Sequence, residues 1–156
     1  ALSIAIGNYC GVEIDEIKKA IENYIPTNNR SQLLKTTRNS ILLDAYNANP
    51  MSVEKAIHNM LNIDHKHKVL VLGDMFELGE DSKREHVNII NQCLSAGFSE
   101  VYLVGEAFTN ANTTEYPSFG TTQELVNALI ECPITDAFIL IKGSRGMKLE
   151  QVAKHL

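Results

Sequence analysis

Three short stretches hold most of the side chains in this chain that could do chemistry. They are DAYNANPMS at 44–52, GDMFELG at 73–79 and KGSRG at 142–146. Asp44, Asp74 and Glu77 offer carboxylates, Lys142 and Arg145 offer cations, and Tyr46, Asn47, Asn49, Ser52 and Ser144 add hydroxyls and amides. Carboxylates meet ammonium and hydroxyl donors, while guanidinium and ammonium groups meet anions. Such a set suits a polar, charged ligand.

Each stretch follows an apolar run, 41–43, 69–72 or 138–141, and a fourth run at 101–104 ends in Gly105-Glu106. Near-continuous apolar runs of this length read as strands buried on both faces. Helical patterns alternate with them: 50–62, 82–96, a short one near Ala107, 121–131 and 147–156. Asn49-Pro50 reads as N-cap plus first-turn proline, and Ser82-x-x-Glu85 and Thr121-x-x-Glu124 as capping boxes. SQLLKTT and NSILLDAY read as a hairpin turning near Arg38-Asn39, and a weak strand is expected at 116–119. The predicted architecture is α/β and Rossmann-like, a mostly parallel sheet with helices on both faces. Ligands in such sheets bind beyond the carboxyl ends of the strands, where the three stretches fall.

Each residue also has a plainer reading. Asp44 can bond turn amides, and Asn49 can cap a helix whatever else it does. Gly73, Gly79, Gly143 and Gly146 can serve only to reach positive φ. Lys142 and Arg145 can be solvated. The sequence contains no GxxxxGK[ST] loop, and no GxGxxG follows a strand, so it brings no standard phosphate cradle of its own. No Ser-His-Asp or Cys-His arrangement has motif support, and His86, inside a helix pattern, reads as a structural histidine.

The totals narrow the class. The 156 residues are 44% hydrophobic with a formal net charge of −5, which suits one globular domain and argues against a nucleic-acid surface. The apolar runs are too short to span a bilayer. The basic cluster His65-Lys66-His67-Lys68 reads as a solvated loop. Cys10, Cys93 and Cys132 are odd in number and lack metal spacing; they read as buried free thiols, which fits a reducing cytoplasm. ALSIAIGNYCG reads as the end of an amphipathic helix without a cap, as if cut from a longer protein. Residues 1–25 are therefore expected to be a helical remnant of a preceding domain, 26–30 a linker, and 31–156 the α/β domain.

The segments DAYNANPMS, VLGDMFELGEDS and IKGSRGMKLEQV resemble, in order and spacing, the patterns D-x-YNANP-x-S, LGDM-x-ELG and KGSR-x-M of the MurF family. These are the Mur ligases that join D-Ala-D-Ala to a UDP-N-acetylmuramoyl-tripeptide in peptidoglycan synthesis. The resemblance runs from about Arg30 to the end and implies a C-terminal Rossmann-like domain. It implies that a central ATPase domain carries the P-loop and most of the ATP and Mg2+ contacts, and that a further domain binds the UDP substrate. ATP would activate the substrate carboxylate as an acyl phosphate, which the amine then attacks. Arg30 and Asp44 match residues expected at the nucleotide, chiefly its ribose, with Tyr46, Asn47 and Asn49 beside them. Ser52, Asp74, Glu77, Lys142, Ser144 and Arg145 are expected toward the substrates, the acidic loop meeting the ammonium of a zwitterionic dipeptide and the basic loop its carboxylate. This chain has Asn29-Arg30 where the family often has Gly-Arg, and Leu43 where it often has a second acid. The fragment alone is expected to be inactive. Two other readings remain: a folate- or cyanophycin-type ligase of the same fold, and a free-standing Rossmann-like binding module.

Overall fold

The computed structural model describes residues 2–24 and 28–156. Two short helices come first, α1 (Leu2–Tyr9) and α2 (Ile14–Glu22). They meet where Ile17, the buried residue of α2, lies against Gly7. Their remaining large apolar side chains, among them Leu2, Tyr9, Ile14 and Ile21, are exposed. The linker expected at 26–30 lies partly outside the described residues.

The hairpin forms as expected. Strands β1 (Gln32–Lys35) and β2 (Ser40–Asp44) pair antiparallel, with Lys35 opposite Ser40. There follow α3 (Pro50–Leu61), β3 (Lys68–Gly73), α4 (Ser82–Ser95), β4 (Val101–Val104), α5 (Glu106–Ala111), β5 (Ser118–Phe119), α6 (Thr122–Glu131) and β6 (Phe138–Lys142). The sheet order is β1-β2-β6-β3-β4-β5, and every pairing except β1–β2 is parallel.

Successive side chains in a strand point to opposite faces, and the apolar runs use both. Leu70, Leu72 and Leu140 face a core built with α3, α4 and α5. Ile41, Leu43, Val69, Val71, Ile139 and Ile141 face a second core built with α6 and the C-terminal segment. Burying each such side chain contributes about 2 kcal/mol. Two cores on one sheet hold the ends of β2, β6 and β3 side by side, and those ends carry the candidate residues.

Four local expectations need correction. The last segment is not an α-helix: two 3-10 turns, Arg145–Met147 and Leu149–Lys154, flank Lys148 at φ 54°. A three-residue repeat stacks i and i+3, and it puts Leu149 and Val152 on the sheet together. Ser82 does not cap α4. The 3-10 turn Gly79–Asp81 runs straight into the helix, so Ser82 is already helical and its hydroxyl lies 3.4 Å from His86 Nδ1. Thr121 does cap α6 by accepting Glu124 N–H, but Glu124 reaches back to the N–H of Gly120. Of the cysteines only Cys93 is buried, and burial pushes its thiol up to about 12; Cys10 and Cys132 are exposed. No described helix is long and apolar enough to cross a membrane.

Candidate functional site

The parallel register aligns three strand ends. Lys142 sits opposite Asp44 on one side and Leu72 on the other, so the loops after β2, β6 and β3 leave the sheet together. All three sequence stretches therefore converge on one edge.

The closest contact there is an ion pair. Lys142 Nζ donates to Asp44 Oδ2 at 2.6 Å and to the Asn47 carbonyl at 3.1 Å. The lysine side chain is only 2% exposed and the aspartate 24%. Its charge is thus spent inside the protein, fixing Asp44 and the turn after it. The other Asp44 oxygen accepts the Ser31 N–H at 3.0 Å, which ties the start of β1 to the end of β2. Each oxygen keeps a lone pair, and the carboxylate still reaches solvent.

Around this pair lies an aromatic and cationic cluster. The Arg30 guanidinium lies over the Tyr46 ring, 3.8 Å from its centre, and that of Arg145 approaches the same ring at 5.2 Å. Arg30 is held between two non-glycine residues in the left-handed region, Asn29 (φ 57°) and Ser31 (φ 47°). Asn47 uses its side-chain oxygen to accept Ala48 N–H. Asn49 and Ser52 form a reciprocal capping box that starts α3: Asn49 Oδ1 accepts Ser52 N–H at 2.9 Å, and Ser52 Oγ accepts Asn49 N–H at 3.1 Å.

The middle loop is divided between surface and interior. Asp74 is buried, and its two oxygens accept the N–H groups of Phe108 (2.9 Å) and Ala107 (3.0 Å). It caps α5 from the end of a neighbouring strand. A side chain at Gly105 would collide with that carboxylate, and Gly105 sits at φ 114°. His86 is fully buried; its Nε2 accepts Met75 N–H (3.1 Å) and its Nδ1 lies 2.7 Å from Ser82 O, which places the proton on Nδ1. The 3.8 Å between His86 Nε2 and Asp74 is therefore contact rather than an ion pair. Glu77 is exposed at φ 64°, a conformation that costs on the order of 1 kcal/mol for a non-glycine residue.

The loops after β3 and β6 are stitched to each other. Ser144 N–H donates to Asp74 O (3.1 Å), and buried Ser144 Oγ accepts Phe76 N–H (2.9 Å). The glycines expected to supply positive φ mostly do something else. Only Gly79 is left-handed among the four. A Cβ on Gly143 would come 3.0 Å from Gly73 Cα, and one on Gly146 would strike the Phe76 ring at 2.5 Å. These positions need glycine so that two loops can lie against each other.

The structure thus sorts the candidate residues. Arg30, Tyr46, Arg145 and Asp44 gather on the open edge over the buried Lys142, with Asn47 and Glu77 exposed near it. Asn49, Ser52, Asp74 and Ser144 are engaged in holding the loops. Sequence reasoning missed Ser31, whose contribution runs through a backbone N–H, and it read His86 as structural without the Met75 N–H that its buried ring nitrogen accepts. Neither leaves a motif.

A sequence profile of the family described as "Mur ligase, glutamate ligase domain" matches residues 29–145. The UDP-N-acetylmuramoyl-tripeptide--D-alanyl-D-alanine ligase of Rickettsia prowazekii (strain Madrid E) is 30% identical over 151 residues, covering 93% of this chain and 33% of that protein. The Bacillus subtilis (strain 168) ligase of the same description is 31% identical over 164 residues, covering 99% and 36%. A crystal structure of MurF from Acinetobacter baumannii superposes with a TM-score of 0.77 at 26% identity, over 93% of this chain and 34% of that one. The fold alone is shared, at 20% identity and a TM-score of 0.77, with a MurF ligase from Thermotoga maritima crystallised with ADP, over 97% and 35%. The chain spans about a third of the length of the curated relatives it matches. With the profile running from just before the hairpin to the KGSRG loop, the chain belongs to the Mur ligase family.

Proposed function

We propose that this chain is the C-terminal domain of an ATP-dependent amide ligase that joins D-Ala-D-Ala to a UDP-N-acetylmuramoyl-tripeptide. The observation that carries the reading is the convergence of all three motif loops on one open edge, in a chain similar to ligases of that description. Residues 31–156 are the domain proper, 26–30 the linker, and residues 1–25 belong to the preceding domain; the exposed apolar faces of α1 and α2 favour that division. The remaining two thirds of the ligase supply the phosphate loop and the UDP site. A cytoplasmic location suits the free thiols.

ATP supplies the phosphoryl group that turns the tripeptide carboxylate into an acyl phosphate. This chain's part is to bind, orient and cover. Asp44, fixed by Lys142 and the Ser31 N–H, presents its solvent-facing lone pairs to the ribose hydroxyls. Arg30, Tyr46 and the Asn47–Asn49 turn flank the nucleotide. Glu77 faces the ammonium of the incoming dipeptide, and Arg145, on the same Tyr46 ring as Arg30, meets an anionic group of the bound ligands. Lys142, Asp74, Ser144, Asn49 and Ser52 hold these groups in register rather than touching substrate. Closing this edge over the central domain excludes water from the acyl phosphate, which otherwise hydrolyses. Mg2+ is assigned mainly to the rest of the ligase on the strength of the family resemblance, since it needs only one or two carboxylates beside the phosphates of ATP.

The test uses the full-length ligase that carries this chain and measures ATP-dependent phosphate release with both substrates. Asp44→Ala should raise the KM for ATP about tenfold, the loss of one or two charged hydrogen bonds, and leave the KM for the UDP-tripeptide unchanged. An unchanged KM for ATP removes Asp44 from the nucleotide site. Turnover with glutamate, but not with D-Ala-D-Ala, overturns the substrate assignment. The isolated chain should release no phosphate.

A further inference from the structure

Arg30 and Arg145 come from distant parts of the chain, yet both guanidinium groups lie within 5.2 Å of the centre of one exposed ring, Tyr46. Two like charges gathered on one ring repel each other, so the arrangement needs a cause. Local geometry supplies half of it: the two left-handed residues around Arg30 and the Ser31–Asp44 bond fix the backbone that carries that arginine. The other half is missing. Among the described residues no carboxylate forms an ion pair with Arg30 or Arg145. The strand-end acid Asp44 is already matched by Lys142. The edge therefore carries two uncompensated, planar cations on a shared aromatic platform, in a chain whose net charge is negative.

We infer that Arg30, Tyr46 and Arg145 form a single subsite for one oxyanion, carboxylate or phosphoryl, rather than two separate contacts to two ligands. A guanidinium held over an aromatic ring keeps N–H donors free to meet oxygen atoms, and Tyr46 is the ring that both arginines share. One oxyanion bonded to both arginines removes their repulsion, which makes its binding depend on the ring as well as on the charges. Tyr46 is a positioning residue here. Which oxyanion it serves rests on the ligase reading above: the carboxylate of the dipeptide or a phosphate of the nucleotide.

The experiment follows the arginine side-chain Nε–Hε signals of this chain by NMR at low ionic strength, where screening of exposed charges is weakest. Inorganic phosphate and acetate are the first probes. The subsite predicts saturable shifts of Arg30 and Arg145 with one common midpoint. Tyr46→Phe should keep that midpoint, and Tyr46→Leu should weaken it about fivefold with both arginines still present. Separate midpoints, a response of only one arginine, or a Tyr46→Leu midpoint equal to the parent's overturns the inference. Tyr46 is partly exposed, and amide spectra of the variants report folding independently. D-Ala-D-Ala, its C-terminal amide and ADP then separate the sources. A response lost on amidation assigns the dipeptide carboxylate, and a response to ADP assigns the nucleotide. Phosphate binding without a response to either leaves the subsite standing and counts against the ligase reading.

Discussion

The two ends of the sheet use similar residues in opposite ways. At the amino end, Asn39, His67 and Glu100 each stand directly before a parallel strand, and all three close on neighbours. Asn39 Nδ2 donates to Ile134 O (2.8 Å) and Leu156 O (2.6 Å), and its Oδ1 accepts Ala137 N–H (3.1 Å). Glu100 accepts from Tyr102 and lies 2.8 Å from His67 Nε2. At the carboxyl end, Asp74 and Lys142 are spent in the same internal way, but Arg30, Arg145 and Glu77 are not. The difference is what separates scaffold from site: a polar residue at a strand end is not a signal until its partners are counted.

The largest effect expected from this contrast is at the amino end. Asn39→Ala strands the Ile134 carbonyl and the Ala137 N–H, and leaves the Leu156 carbonyl with Thr36 Oγ1 as its partner, at a site that is 6% exposed. The loss should be about 3 kcal/mol, a fall in Tm of roughly 10 °C for a domain of this size. Anion binding at Arg30 and Arg145 should not change in the folded protein. A shift in ligand affinity with Asn39→Ala would erase the distinction between the two ends.

The ion pair at the carboxyl end gives a smaller and asymmetric effect. Asp44→Ala leaves the Lys142 ammonium buried with one carbonyl partner, which should cost about 2 kcal/mol. Lys142→Met leaves a carboxylate that already reaches water, so it should cost about 1 kcal/mol. Thermal melts of both variants decide the order. The reverse order means that the lysine reaches solvent and is free for substrate, as the sequence first suggested.

The layered fold was legible because two faces of a buried sheet demand long apolar runs, and the Leu and Ile/Val alternation in β3 and β6 assigns each face. The edge was legible for the same reason, since the strands must end where the motifs begin. Partner identity was not. Nothing in KGSRG says that Lys142 points inward to Asp44 while Arg145, three residues on, points outward to Tyr46. Asp74 looked like Asp44 because both end a strand; only the path of α5 shows that one caps a helix. The need for glycine at 143 and 146 came from the approach of a second loop, which a linear pattern does not contain. The final segment was misread because a three-residue repeat of buried positions resembles a helical one over so short a span.

The smallest expected effect probes the amino end by pH. The hydrogen bond to Glu100 raises the His67 pKa above its ordinary 6.5, against the opposing effect of burial. Burial and the same glutamate push the Tyr102 phenol up, so it stays a neutral donor to Glu100. A raised folded-state pKa means that protonation of His67 stabilises the fold. The contribution is fully present below pH 6.5 and fades as pH rises through the folded value. The His67 side chain is 40% exposed, so solvent screening keeps the gain under about 1 kcal/mol. Glu100→Gln should therefore lower Tm by a few degrees more at pH 6 than at pH 8.5, once the constant loss of the Tyr102 bond is subtracted. Lys66, Lys68, Asp136 and His65, whose Nδ1 lies 2.9 Å from His67 O, are the same in both proteins, so their effects cancel in the difference. An equal Tm difference at the two pH values means that His67 stays neutral against Glu100, and that the amino end is held by neutral hydrogen bonds alone.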